Sequence, residues 1–199
     1  DKILLYLGRV SPEKNIEEII SAMPNYMKTR ENVKFVIVGS GPALEKLENM
    51  VDQLNLTEKF VFTGSQPWDN IGLFYRLGDV FVSASNSETQ GLTYIEAMAS
   101  GLPIVAKEDK CLEDILEEGH NGYSFTDREG LYRGLDQILF LDKSTDYSKN
   151  SIQKVQKYSA EEFAFQVEKV YQQVQSRDQV YLRRPLTESK KIRVIGGRL

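Results

Sequence analysis

The sequence has 199 residues, 41% of them apolar and 27% charged, the balance of a folded globular protein able to bury one sizeable core. Its single cysteine, Cys111, and single histidine, His120, exclude a disulfide framework, a Cys/His zinc site and any metal site built from several histidines, and fit a reducing, cytoplasmic compartment. The net charge of -4 is uneven: residues 177–199 carry seven basic side chains against two acids, and the remainder eighteen against twenty-seven, too acidic to bind nucleic acid over a broad face. No apolar run approaches the ~20 residues of a membrane span, and the first residues form no signal peptide. A chain that starts at Asp1, directly on an apparent strand, reads as an excerpt from a longer protein.

In chain order, an apolar run at residues 3–7 predicts a strand. A helix follows, with the stripe Ile16, Ile19, Ile20, Met23 and Met27, opened by Asn15 with Glu18 three residues on as a capping-box-like start. A second strand at 33–38 leads to a helix carrying Leu44, Leu47, Val51 and Leu54, with Pro42 at its first position. Strands at 60–62 and 80–82, a helix over 91–100 stopped by Gly101-Leu102-Pro103, and a strand at 103–106 come next. The strand signal then fades, and helices near 128–141, 147–157 and 160–175 close the domain. Most strand runs lack polar alternation, as strands buried on both faces of a parallel sheet do. The pattern is α/β: a Rossmann-like doubly wound parallel sheet over residues 1–176, followed by a basic tail over 177–199.

In such sheets ligands bind beyond the carboxyl ends of the strands. After the first strand, Gly8 permits close backbone approach, and Arg9 and Lys14 flank the next helix start, an arrangement that suits a diphosphate. On spacing alone, a solvated turn with two unrelated cations explains these residues equally well. Gly39-Ser40-Gly41 lacks the third glycine of a dinucleotide fingerprint, because Leu44 stands in its place, and by itself reads as a tight turn. Thr63-Gly64-Ser65-Gln66 is another glycine turn; the following Trp68 either stacks on a base or, the favoured reading, packs half-buried. After the fourth strand comes a polar loop with Glu88, then Gly91, Leu92 and Thr93, whose free amides favour an anion, and Glu96 further along the helix. A carboxylate can accept from vicinal hydroxyls of a sugar or a ribose. As a bare pair among 29 acids, however, Glu88 and Glu96 carry no weight.

The flanking residues give them weight. Gly8-Arg9 with Lys14, Val38-Gly39-Ser40-Gly41, Phe62-Thr63-Gly64 and the long block 85–106, with Glu88 and Glu96 inside it, together resemble the donor half of GT-B-fold retaining glycosyltransferases of family 4. The stretch 87–96 is similar in wording to bacterial enzymes that glucosylate diacylglycerol. The resemblance covers about residues 3–175 and implies a UDP-sugar donor, no metal and no prosthetic group. It implies that Arg9 and Lys14 hold the diphosphate and offset the charge of the leaving group, that Glu96 binds the ribose, and that Glu88 and the amides of Gly91, Leu92 and Thr93 hold the transferred sugar. Gly39, Gly41, Gly64, Ser65 and Gln66 would frame the nucleotide. Retention is described for this fold as front-face substitution, with the departing phosphate taking the acceptor proton. The resemblance further implies an N-terminal acceptor domain that these residues do not include. Two departures stand out: Gln90, where an aromatic or small apolar residue is common, and 107–111, where a glycine pair is common. The competing readings are a family 4 glycosyltransferase acting on a polysaccharide or protein acceptor and a non-catalytic module of the same fold, although such modules usually lose the charged donor residues kept here. For the basic tail, a solvated terminus competes with contact to an anionic membrane surface, where a lipid acceptor would lie.

Overall fold

The computed structural model of the chain describes residues 1–182, apart from Ser87 and Thr89. It divides into two compact units, Asp1–Gln156 and a second beginning at Lys157. The first contains six strands: β1 (Lys2–Leu7), β2 (Val33–Val38), β3 (Phe60–Gly64), β4 (Val80–Ser83), β5 (Ile104–Lys107) and β6 (Gly122–Phe125). They form one sheet in the order β3-β2-β1-β4-β5-β6, with every neighbouring pair parallel. The helices of this unit are α1 (Ile16–Lys28), α2 (Leu44–Gln53), α3 (Trp68–Leu77), α4 (Leu92–Ala99), α5 (Arg128–Asp136) and α6 (Tyr147–Val155). The second unit carries α7 (Ala160–Leu182), and among the described residues no helix is long and apolar enough to cross a membrane.

The strands lack polar alternation because both faces of the sheet are covered. Leu4 and Tyr6 of β1 join a core with Ile16, Ile19 and Met23 of α1, Leu47 of α2 and Leu131 of α5. Leu5 and Leu7 join an opposite core with Tyr75 of α3 and Tyr94, Ala97 and Met98 of α4. The expected Rossmann-like, doubly wound parallel sheet is therefore the fold. From β1 the chain winds outward to β2 and β3, and from β4 outward to β5 and β6. The order of strands thus reverses between β1 and β4, and the loops that follow these two strands face one another there.

Several local expectations fail for physical reasons. β6 and α3 carry no clear signal in the sequence. β6 is an edge strand containing Gly122 and Ser124, poor strand formers, and α3 leaves Leu73 and Leu77 exposed, which blurs its apolar stripe. Trp68 is not half-buried: it is 77% exposed, at the first residue of a helix that follows the opposite edge strand. Asn15 does not cap α1 through its side chain. It is left-handed at φ 50°, and its amide donates to the Glu18 carboxylate instead. α2 starts at Leu44 with Ala43 at the cap, so Pro42 lies just before the helix rather than at its first position.

Candidate nucleotide-sugar site

The β1 loop is built on close backbone contact with the turn that follows β2. Val10 N donates to Ser40 O at 3.0 Å, and Ala43 N donates back to Val10 O at 3.1 Å. At Gly39, which has φ +140°, a Cβ would stand 1.9 Å from Gly8 O, and at Gly41 one would stand 2.1 Å from Val10 O. Only glycine fits at either position. Gly39 N also donates to Gly64 O at 3.0 Å, so the turns after β1, β2 and β3 form one connected backbone shelf. On it Gln66 is fixed by its amide donating to Thr63 O at 2.8 Å, and Ser65 is exposed.

The β1 and β4 loops meet at the reversal point. Asn86 N donates to Glu13 O at 3.2 Å, and Lys14 Nζ lies 2.5 Å from Glu88 Oε1, with side chains only 21% and 13% exposed. The predicted diphosphate cation and the predicted sugar acid are thus bound to each other. Arg9 is the freer cation: its guanidinium stands 3.9 Å from Glu13. Glu13 is in turn engaged by Ser11 Oγ at 2.6 Å, and that hydrogen bond is the main cause holding its carboxyl below the usual range. Lys107, at the end of β5, pairs with Glu18 of α1 at 2.6 Å. Three cations and three acids are paired off along this edge before any anion arrives. Arg9, the least committed of the cations, is the one best placed to meet an anion first.

α4 begins at Gly91, left-handed at φ 62°, with no capping side chain. Its first intrahelical bond runs from Tyr94 N to Gly91 O at 3.0 Å, so the amides of Leu92 and Thr93 precede the ladder and carry the positive end of the dipole. Glu96, one turn further, accepts from the buried Tyr75 hydroxyl at 2.8 Å. Sequence reasoning missed Tyr75 because it missed α3; a tyrosine two residues before Leu77-Gly78 carries no signal of its own. Cys111 lies against the start of α4, and burial, with a hydrogen bond to Asp109, pushes its thiol up to about 12. His120 is exposed in a turn, its carbonyl accepting from Asn150 at 2.8 Å. Among the described residues no group of three or more His, Cys, Asp or Glu side chains is placed to hold a metal ion.

Two cations at a strand-order reversal, beside an uncapped helix start, form a place where an anion is favoured. Residues 1–158 match the family Glycosyl transferases group 1. The chain belongs to this family.

Two curated relatives are both alpha-monoglucosyldiacylglycerol synthases. The one from Streptococcus pneumoniae is 33% identical over 172 residues, 86% of this chain and 38% of the relative. The one from Acholeplasma laidlawii is 32% identical over 170 residues, 85% of this chain and 43% of the relative. This group 1 chain therefore spans about two fifths of their length. Among solved structures, a pneumococcal O-GlcNAc transferase in complex with UDP and GlcNAc shares the fold, with a TM-score of 0.77 at 22% identity over 86% of this chain and 35% of that one. The C-terminal domain of a glycosyl transferase group 1 family protein from Francisella tularensis superposes with a TM-score of 0.70 at 26% identity, covering 80% of this chain and 87% of that one.

Proposed function

We propose that the chain is the donor-binding part of a retaining hexosyltransferase that moves a hexose, glucose by likeness to its relatives, from a UDP-sugar to a diacylglycerol-type lipid. The donor domain spans residues 1–176. The observation that carries this reading is the Lys14–Glu88 pair at the reversal point, beside the exposed Arg9 and the uncapped start of α4. A diphosphate arriving there meets Arg9 first and then competes with Glu88 for Lys14. Once displaced, the Glu88 carboxylate is free to accept hydrogen bonds from the sugar hydroxyls, with the amides of Gly91, Leu92 and Thr93 beside it. Glu96 receives the ribose hydroxyls, and the shelf of Gly8, Gly39, Gly41, Gly64, Ser65 and Gln66 supports the nucleotide.

In the transfer the bond from the anomeric carbon to the diphosphate oxygen breaks, and a bond to the acceptor oxygen forms on the same face. The acceptor proton passes to the departing phosphate. Arg9 and Lys14 stabilise the charge that grows on the leaving group, which removes the need for a metal ion. The acceptor site belongs to an N-terminal domain outside these residues, so the chain alone binds donor without turning it over. The basic segment 177–199, which beyond Leu182 lies outside the described residues, holds the enzyme at an anionic membrane surface. Two findings support the acceptor class: the names of the two relatives, and their identity over 85–86% of this chain. Calorimetric titration of the chain with UDP tests the reading. Saturable binding is expected, and no heat from a chain shown to be folded by circular dichroism would overturn it.

A further inference from the structure

We infer that Tyr75 is a positioning residue for nucleotide recognition: its hydroxyl fixes the Glu96 carboxylate in the orientation that receives the ribose diol. The inference rests on the donor-site reading above and adds to it a residue 21 positions away from Glu96, on a different helix.

Tyr75 lies in the last turn of α3 and is 2% exposed. Its ring packs against Phe81 of β4, with centroids 6.1 Å apart, and Phe81 meets Tyr94 of α4 edge-on at 5.8 Å. Tyr94 in turn donates to Ser83 Oγ at 3.0 Å, and the same oxygen accepts from Ser85 N at 3.3 Å. α3, the end of β4 and the first turns of α4 are therefore joined through one set of rings. The Tyr75 hydroxyl is the point at which this set reaches the Glu96 carboxylate. Burial first, and then the bond to Glu96, push the phenol well above its ordinary range, so it remains a donor throughout the neutral range.

The geometry suits orientation rather than occupation. An ionised carboxylate offers about four lone-pair sites on two oxygens, and Tyr75 uses one, on Oε2. Enough remain for two vicinal hydroxyls. Without the anchor, a glutamate on a half-buried helix face has several rotamers, and ordering it at the moment of binding would cost affinity for the diol alone.

The competing explanation is that Glu96 merely satisfies a buried tyrosine. The two separate by comparing UDP with 2′,3′-dideoxyuridine diphosphate, which keeps the base and diphosphate and lacks the diol. Tyr75→Phe keeps the ring and its packing. In calorimetric titrations of the 199-residue chain we expect Y75F to bind UDP about tenfold more weakly, the size of one charge-assisted hydrogen bond, and the dideoxy nucleotide within about twofold of the unsubstituted chain. In a Glu96→Gln background, Y75F should add no further loss for UDP. Equal weakening toward both nucleotides would make Tyr75 structural, and unchanged UDP affinity would remove its role; either result overturns the inference. Failure of the unsubstituted chain to bind UDP is a separate outcome, and it overturns the donor-domain reading itself.

Discussion

The helices at the centre of the sheet and those at its β6 edge start in different ways. At the β6 edge, Asp127 accepts from Gly130 N at 2.7 Å and Asp146 from Lys149 N at 3.0 Å, so α5 and α6 satisfy part of their own N-termini. The four helices that follow β1, β2, β3 and β4 have no capping side chain, and α1 and α4, on either side of the reversal point, both begin from left-handed residues. A missing cap costs up to about 1 kcal/mol, and only a few tenths where the cap is a glycine such as Gly91. For α1 and α4 that cost falls beside Arg9, Lys14 and the free amides, where an anionic donor would recover it. The edge region is finished as a folded structure, whereas under the proposed function the central region is completed by a ligand.

The largest change that would break this contrast is Gly39→Ala. The central loops depend on backbone contact closer than any side chain permits, so the substitution should lower stability by roughly 3 kcal/mol or more in urea denaturation, with loss of nucleotide binding following from it. At the next level, Glu88→Gln releases Lys14 from its carboxylate. UDP without a sugar should then bind roughly fivefold tighter, in line with a partly buried ion pair worth about 1 kcal/mol. Weaker UDP binding would mean that Glu88 supports the diphosphate rather than competing with it. At the edge the opposite separation is expected: Asp127→Ala should cost about 1 kcal/mol of stability and leave UDP affinity unchanged.

The smallest effect is a pH dependence read at the start of α4. Burial raises the Cys111 thiol from its ordinary 9 to about 12, so the folded state favours the protonated form. Its contribution to stability is complete below pH 9 and is lost as pH rises toward 12, because the unfolded chain gives up the proton first. The buried phenols of Tyr6, Tyr75 and Tyr94 shift in the same direction. Urea midpoints should therefore fall on the alkaline side, and Cys111→Ser should flatten the earliest part of that fall.

Much of the central region is legible in the sequence. Buried strands announce themselves by uniform apolar runs, and Gly8, Gly39 and Gly41 read as glycine turns at strand ends, although their backbone-to-backbone contact emerges only in the fold. The parts that escape depend on tertiary partners. The Lys14–Glu88 pair joins residues 74 apart, and only the strand order brings them together. Tyr75 is hidden in a helix whose exposed Leu73 and Leu77 mask its period. Asn15 has the composition of a cap but takes a left-handed conformation and donates to Glu18 instead of to solvent, a choice that local spacing does not reveal.

The central claim is that the β1–β4 reversal point is a diphosphate site held by Arg9 and Lys14. Paired calorimetric titrations with UDP and uridine, on the unsubstituted chain and on Lys14→Ala, test it most directly. The unsubstituted chain should bind UDP at least about a hundredfold more tightly than uridine, and Lys14→Ala should remove about tenfold of that difference while leaving uridine affinity unchanged. Equal affinities for UDP and uridine in the unsubstituted chain, or a diphosphate preference that survives Lys14→Ala intact, would contradict the account.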